Sequence, residues 1–301
     1  MALFFFLGRW MTIALIGADG QLGSELLRTL PREDVAPLYY PDFDITRPEL
    51  VRAALTAIGP RVVINTAAFH RVDECETKPH TAFLVNALAV RDLAALCREV
   101  NAVLVHFSTD YVFDGRKTTP YVEEDEPNPL NIYAASKLAG ERFVQASGAD
   151  YFLVRTCGLF GPAGCREKGR NFVETMLALA DRGVSIRVVN DQTVGPTSAE
   201  ELAVKVTALL RTDRYGLYHL TNRGSCTWFE FAREIFLALG REAQLVPVTS
   251  EEFGAPARRP HYSVLANDRA REAGLSEFSS WPEALRSYLT AKGLRKPAPA
   301  A

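Results

Sequence analysis

Long apolar runs, charge of one sign and patterned cysteine are all scarce in this chain of 301 residues, and each scarcity excludes a class of function. No stretch reaches the roughly 18 to 20 uninterrupted apolar residues of a membrane-crossing helix; the N-terminal run is broken at Gly8-Arg9 and again at Gly17-Ala-Asp-Gly20. Lys and Arg total 34 against 36 Asp and Glu, a net charge of -2. That balance gives no global attraction toward nucleic acid or an anionic membrane, so a small molecule is the expected partner. The five cysteines (Cys75, Cys97, Cys157, Cys165, Cys226) are odd in number, scattered and free of any C-x-x-C. They argue against a disulfide framework or a zinc knuckle, and for a reducing, cytoplasmic compartment. His70, His80, His106, His219 and His261 show no tight ligand spacing, so they read as structural or surface histidines and no metal is expected. There is no internal repeat.

What is present is a globular composition, 48% apolar and 23% charged, on a chain long enough for about two domains. The apolar stretch at the start has no basic segment before it and no small-residue cleavage site after it, so residues 1–11 read as an extension ahead of the fold. Short apolar runs at 12–16, 62–65, 103–107, 152–155 and 186–189 then recur at intervals of about 30 to 50 residues, and helical i, i+3, i+4 patterns at 82–100 and 136–147 lie between them. The pattern predicts βαβ repetition, an α/β fold with a doubly wound parallel sheet. After 157 the texture changes, with helices expected at 171–182, 227–239 and 283–289. The expected organisation is a sheet domain at 12–157, joined again by about 184–222, a smaller domain from 158–183 and 223–290, and a frayed tail at 291–301.

Gly17-Ala-Asp-Gly20-Gln-Leu-Gly23 follows the first strand directly and opens a helix expected at 24–30. Glycines let the backbone turn tightly against a pyrophosphate, and a helix N-terminus offers unpaired N–H groups and the positive end of a dipole, so a dinucleotide fits. An acid about 20 residues on would hold a ribose hydroxyl; Asp42 and Asp44 lie near that distance, after a second strand expected around 38–40, and an Asx turn is an equal reading for Asp42. No arginine immediately follows that strand to pair a 2′-phosphate, so NAD versus NADP stays open.

Tyr133-Ala-Ala-Ser-Lys137 sets a phenol and an ammonium one helical turn apart, and the nearby positive charge is expected to lower the tyrosine pKa for acid–base work. Upstream, Ser108-Thr109-Asp110 ends a strand in two hydroxyls at the carboxyl edge, where open α/β sheets bind ligands. Small residues in Asn65-Thr-Ala-Ala68 let a flat cofactor lie against the backbone. Tyr288-Leu-Thr-Ala-Lys292 repeats the Tyr–Lys spacing without such a strand and reads as surface helix. The acids Asp73, Glu74 and Glu76, and those of 123–126, read as solvated loops, and Trp228 and Phe229 as core.

Taken together, Gly17-x-x-Gly20-Gln-Leu-Gly23, Asp44-Ile-Thr, Asn65-Thr-Ala-Ala68, Ser108-Thr-Asp-Tyr-Val-Phe113, Tyr133-Ala-Ala-Ser-Lys137, Asn190-Asp-Gln-x-x-Gly-Pro-Thr197 and Arg259-Pro-x-x-Ser263 resemble dTDP-4-dehydrorhamnose reductase, an extended short-chain dehydrogenase/reductase family, over about 12–290. The resemblance implies a Rossmann-like fold in which NADPH or NADH reduces the C4 ketone of a nucleotide-linked 4-keto-6-deoxyhexose. It implies Tyr133 as proton donor, Lys137 as its pKa partner and ribose clamp, and Thr109 as the hydroxyl orienting the carbonyl. Gly20, Gln21 and Leu22 match the phosphate turn, Asp44 and Ile45 the adenosine end, and Thr66, Ala67 and Ala68 the surface under the cofactor. Asp110, Asn171, Thr197 and Arg259 would line the sugar-nucleotide cleft. One string departs: Arg155-Thr-Cys157-Gly158-Leu159-Phe160 stands where the family reads Arg-Thr-Ser-Trp-Val-Tyr, so a sugar-contacting tryptophan becomes Gly158, and Phe160 or the insert 162–170 is a candidate to fill the space. A homodimer is left open. The alternatives are an epimerase or dehydratase of the same superfamily, which would regenerate a tightly held cofactor, and a non-catalytic regulatory subunit like certain partners of methionine adenosyltransferase, which retention of Tyr133, Lys137 and Thr109 disfavours.

Overall fold

The computed structural model describes residues 12–163 and 169–295. The N-terminal extension, insert residues 164–168 with Cys165, and the end of the tail from 296 lie outside the described residues. The strands are β1 (Ile13–Ile16), β2 (Val35–Leu38), β3 (Val62–Asn65), β4 (Val103–Thr109), β5 (Tyr151–Thr156), β6 (Leu159–Phe160), β7 (Ile186–Val189), β8 (Thr193–Val194), β9 (Thr197–Ser198), β10 (Gly216–His219), β11 (Cys226–Thr227) and β12 (Leu245–Val248). Between them run α1 (Gln21–Thr29), α2 (Pro48–Ile58), α3 (Val72–Thr77), α4 (Pro79–Phe83), α5 (Ala89–Glu99), α6 (Ile132–Ala146), α7 (Phe172–Ala180), α8 (Ala199–Leu209), α9 (Trp228–Leu239), α10 (Ser250–Phe253), α11 (Asp268–Glu272) and α12 (Trp281–Ala291).

Six strands form one parallel sheet in the order β10-β5-β4-β3-β1-β2. Strand β1 is buried at all four positions because both faces are covered: Ile13 and Leu15 pack toward α1 and α8 with Leu22, Leu26, Leu202 and Val206, while Ala14 and Ile16 pack toward α2 and α5 with Leu55, Val90 and Leu93. Pro37, which cannot donate to a ladder, sits on the edge strand β2. That strand ends at Leu38, short of the expected 38–40, and Tyr40 is exposed beyond it. Strands β2 and β3 leave β1 on opposite sides, so the crevice above the carboxyl ends of β1 and β3 is the switch point where such sheets bind ligands.

Strand β7 departs from the expected repetition. It pairs with β12 in a separate two-stranded ladder, and Ile186 and Val188 join a second core with Phe160, Val173, Met176, Phe231, Ile235 and Leu285. Helix α8 packs on α1, and strand β10 pairs with β5 at the edge of the large sheet. The helical stretch Pro79–Glu99 is long and apolar enough by length and composition to cross a membrane, although half of it is buried in the fold. A π-helical turn, Leu84–Leu88, interrupts it and carries the buried Asn86 toward α6, where a Cβ on Gly140 would stand 2.2 Å from the Asn86 carbonyl.

Candidate active site

A continuous cleft of about 1650 Å³ runs over the carboxyl ends of β1, β3, β4 and β5 and under the second core. Drug-sized ligands occupy roughly 300–1,000 Å³, so two ligands fit side by side. At one end stands the glycine turn. Gly17 has φ +74°, and its ideal Cβ would lie 2.6 Å from Thr66 Oγ1; a Cβ on Gly23 would lie 2.2 Å from Gly17 O. Only glycine lets α1 start this close to β1 and β3. The helix begins at Gln21, earlier than expected, with Gly20 as an N-cap that makes no side-chain cap hydrogen bond and with no acid in its first turn, an arrangement suited to an anion. Gly17, Gly20, Gln21, Leu22, Asp44, Ile45, Thr66, Ala67 and Ala68 line this half; Gly23 shapes it from behind. Asp44, not Asp42, makes the Asx turn, accepting from Thr46 N at 2.9 Å and Thr46 Oγ1 at 2.8 Å. Gln21 Oε1 here, and Ser108 Oγ and Thr156 Oγ1 further along, are buried without a hydrogen-bond partner among the described residues. Such orphaned atoms in a cleft wall fit a polar ligand.

The floor is built by α6. Its N-cap Asn131 accepts from Ala134 N at 2.8 Å and donates to Arg258 O at 2.8 Å, and Ile132 N donates to Glu76 Oε1 at 2.8 Å. The first helical turn, which carries Tyr133, is thus held from α3 and from the C-terminal loop. One turn on, Lys137 is 2% exposed with Nζ 3.3 Å from His106 Nε2. Thr109 Oγ1 accepts from Tyr111 N at 3.2 Å and donates to Asp110 Oδ1 at 3.1 Å, and the Tyr111 ring meets Tyr133 edge-on at 6.4 Å.

The electrostatics differ from the sequence expectation. Burial, followed by the Asp110 charge, raises the Tyr133 pKa above the ordinary phenol range, opposed by the neighbouring Thr109 hydroxyl. The lowering expected from Lys137 is not among the influences on Tyr133, and burial brings Lys137 itself down to about 8, with the Glu141 charge opposing. Burial also lifts Asp110 to about 6, against the polar groups of Cys157, Ser263 and Thr109 beside it. Below them Arg155 and Glu141, fully buried, form a bidentate pair at 2.9 and 2.7 Å.

Of the residues expected around the sugar nucleotide, Asp110 and Arg259 line the cleft, Arg259 held bidentate by Asp73 at 3.0 and 3.0 Å. Asn171 is at the wall, but its amide is occupied as the N-cap of α7, accepting from Glu174 N and donating to Gly161 O and Tyr288 Oη. Thr197 does not reach the cleft: it is fully buried in β9 and donates to Gly195 O at 3.0 Å. Tyr288 is correspondingly a core residue, 2% exposed, and not surface helix. Phe160 does not fill the space at Gly158, since it is buried against Phe231 and Tyr288. The Trp228 indole does: its edge comes within 3.4 Å of where a Gly158 Cβ would be, and it stacks toward Phe172 at 4.8 Å while lining the cleft.

Sequence reasoning missed several supports. The acids of α3 are not a solvated loop: Asp73 holds Arg259, Glu76 holds α6, and Glu74 pairs with Arg71 and Lys78. Glu123, in the second acidic run, is buried and accepts from His219 N at 3.0 Å. His106 was detectable as a polar residue inside an otherwise apolar strand.

Comparison with known proteins gives one consistent result. The family model described as RmlD substrate binding domain matches residues 11–293. The spore coat polysaccharide biosynthesis protein SpsK of Bacillus subtilis (strain 168) is 40% identical over 282 residues, covering 93% of this chain and 97% of that protein. A probable dTDP-4,6-dihydroxy-2-methyloxan-3-one 4-ketoreductase of Streptomyces antibioticus is 42% identical over 283 residues, 92% of this chain and 93% of that one. Among solved structures, dTDP-4-dehydrorhamnose reductase from Bacillus anthracis str. Ames in complex with NADP superimposes with a TM-score of 0.90 at 39% identity, over 94% of this chain and 100% of that one.

Proposed function

We propose, from the premise that this chain belongs to the RmlD substrate binding domain family, that it is an NAD(P)H-dependent reductase of the C4 ketone of a nucleotide-linked 4-keto-6-deoxyhexose, with dTDP-4-dehydrorhamnose as the best-fitting substrate. The observation that carries this reading is the meeting of Tyr133, Lys137 and Thr109 in the same cleft as the glycine turn. The turn, the acid-free start of α1 and the unpartnered Gln21 oxygen fit a dinucleotide; Gly17, Gly20, Gln21 and Leu22 would hold its phosphates, and Asp44 and Ile45 its adenosine end. When bound, the reduced nicotinamide supplies hydride to the ketone carbon.

The rest falls to the chain. The Thr109 hydroxyl lies beside Tyr133 and, turned from Asp110, can donate to the carbonyl oxygen while Tyr133 Oη passes its proton there, leaving a phenolate that solvent reprotonates. The raised Tyr133 pKa keeps the phenol in the protonated form that a donor needs. Asp110 and Arg259 would hold the sugar nucleotide, with Trp228 standing in for the family tryptophan absent at Gly158. A cytoplasmic workplace accords with the unpatterned cysteines.

The test is oxidation of NADPH and of NADH against a panel of 4-keto-6-deoxy nucleotide sugars. Stoichiometric consumption with one of them is expected. Turnover of a nucleotide sugar without net consumption would replace this reading by an epimerase or dehydratase.

A further inference from the structure

Four groups in series cross the floor of the cleft from β3 to α6. Ala67 N–H donates to Asn65 Oδ1 at 3.1 Å, which fixes the amide so that Asn65 Nδ2 faces His106 Nδ1 at 3.2 Å. The β3–β4 register sets these two side chains next to each other. His106 Nδ1 must then accept, and a neutral imidazole with an accepting Nδ1 carries its proton on Nε2. Nε2 lies 3.3 Å from Lys137 Nζ. The polarity of the series therefore runs one way, from a backbone N–H to the lysine nitrogen, and it closes only if that nitrogen accepts. An uncharged amine can accept; an ammonium cannot. With an ammonium at the far end both ends donate inward, and two donors face each other at one of the three contacts whichever neutral tautomer His106 adopts. Asn65, His106 and Lys137 are 1%, 0% and 2% exposed, so solvent is not at hand to relieve such a mismatch.

We propose that His106 is a positioning residue for the acid–base pair: through a tautomer set by Asn65 it biases Lys137 toward the neutral amine until the hydroxyls of a dinucleotide offer an acceptor, so that cofactor binding in mildly alkaline solution takes up a proton at Lys137. The inference rests on the reading of this cleft as a dinucleotide site. The second buried histidine provides the internal contrast. His219 Nδ1 is 3.1 Å from the Tyr121 carbonyl, to which it donates, so its Nε2 is the acceptor, and that nitrogen faces the permanently charged Arg155 at 3.4 Å. The fold gives the guanidinium an accepting imidazole and the amine a donating one.

The groups that act on Lys137 directly are Glu141 on α6 and His106 on β4. One step out, Arg155 on β5 holds Glu141, Tyr133 a turn earlier on α6 meets Asp110, Tyr111 and Cys75, Glu76 on α3 holds Ile132 N, and Asn86 bonds Ser136 next to Lys137. Each Glu141 oxygen accepts from Arg155, and no hydrogen bond joins Glu141 to Lys137 among the described residues. Burial acts in the same direction as the donor, lowering Lys137 to about 8.

Two measurements test this on the intact chain. In 15N-histidine-labelled protein without dinucleotide, two-bond proton–nitrogen spectra should show the His106 ring, assigned by its loss in His106→Gln, with the proton on Nε2; an Nδ1–H or a cationic ring overturns the proposal. Calorimetric titration with NADP⁺ at about pH 9, in buffers of different ionisation enthalpy, should give uptake of about 0.8 of a proton, as expected for a pKa near 8 carried above about 10. Uptake below about 0.2 in the unmodified protein overturns it. In His106→Gln the amide oxygen can accept from the ammonium, and in Asn65→Asp the carboxylate turns the imidazole around, so uptake should fall below about 0.3 in both, with the His106 proton moving to Nδ1 in Asn65→Asp. Tight NADP⁺ binding and full turnover without proton uptake would sink only the role of His106. A protein that binds neither NADP⁺ nor NADPH would sink the dinucleotide reading, and the tautomer measurement would still decide whether the hydrogen-bond series exists.

Discussion

Gly23→Ala is the sharpest test of how the fold makes the cofactor end of the cleft. The added methyl would stand 2.2 Å from Gly17 O, 2.8 Å from Ala18 Cα and 2.9 Å from Ala18 C, all backbone atoms of the turn. The first of these is about 1.2 Å short of the 3.4 Å at which ordinary contact begins, so α1 must move by about an ångström. It cannot move freely, because Leu22 and Leu26 anchor it in the core shared with α8. Overpacking of this kind costs about 1–3 kcal/mol, and displacing the helix N–H groups from an anion forfeits a charge-assisted hydrogen bond of about 1.5–3 kcal/mol. The expected result is a KM for NADPH raised by about 10- to 100-fold, with the KM for the sugar nucleotide little changed. Gly20→Ala is the graded control. Its Cβ would meet only Gly17 O, at 3.2 Å, and its φ of -73° suits alanine, so the change should stay within about threefold. Steady-state kinetics and NADPH fluorescence titration read both. Equal effects from the two substitutions, or an unchanged cofactor KM and Tm in Gly23→Ala, would refute the reasoning.

Three further outcomes follow from the site. Tyr133→Phe should lower kcat by at least about 100-fold while leaving NADPH affinity within about threefold, the usual scale for losing an acid–base group; near-normal turnover would remove Tyr133 from the mechanism. Trp228→Ala should raise the KM for the sugar nucleotide about tenfold without moving that for NADPH, and a reversed pattern would place the indole on the cofactor side. Asp110→Asn should be more stable than the unmodified chain at pH 7. A carboxyl raised by burial to about 6 contributes stability that is full below its unfolded value near 4 and is lost as pH rises through 6, by about 3 kcal/mol at most. Thermal unfolding at pH 7.5 and pH 4.5 checks this: the Tm difference should shrink at the lower pH.

Contiguous features were the legible ones. The glycine turn, the Tyr133–Lys137 spacing and the Ser108-Thr109-Asp110 string each lie within one element or one junction, where local geometry follows from local sequence, and the structure draws them to one cleft. What escaped depends on which elements become neighbours. Asn65, His106 and Lys137 come from three elements, and nothing in the sequence around His106 marks it beyond a polar residue in a buried strand. Tyr288 copies the Tyr–Lys spacing, yet α12 turns it into the second core, where Asn171 bonds to it. Asn171 and Thr197 matched a family pattern by position while their polar atoms serve the backbone of the smaller core. Strand β7 had the right composition for the large sheet and joined β12 instead, because a short apolar run carries no record of its partner.

Burial pushes each of the groups at the floor of the cleft toward its uncharged form. It raises Tyr133 together with the Asp110 charge, lowers Lys137 against the Glu141 charge, and raises Asp110 against the polar groups around its carboxyl. Beneath them the deeply buried Glu141 and Arg155 pair in a bidentate geometry, and Arg155 also faces His219. A neutral phenol is the competent state for giving a proton to a ketone, whereas oxidation of the alcohol would need a phenolate to receive one. A hydroxyl-bearing ligand that lets Lys137 take up its charge would ease formation of the phenolate only after the site is assembled.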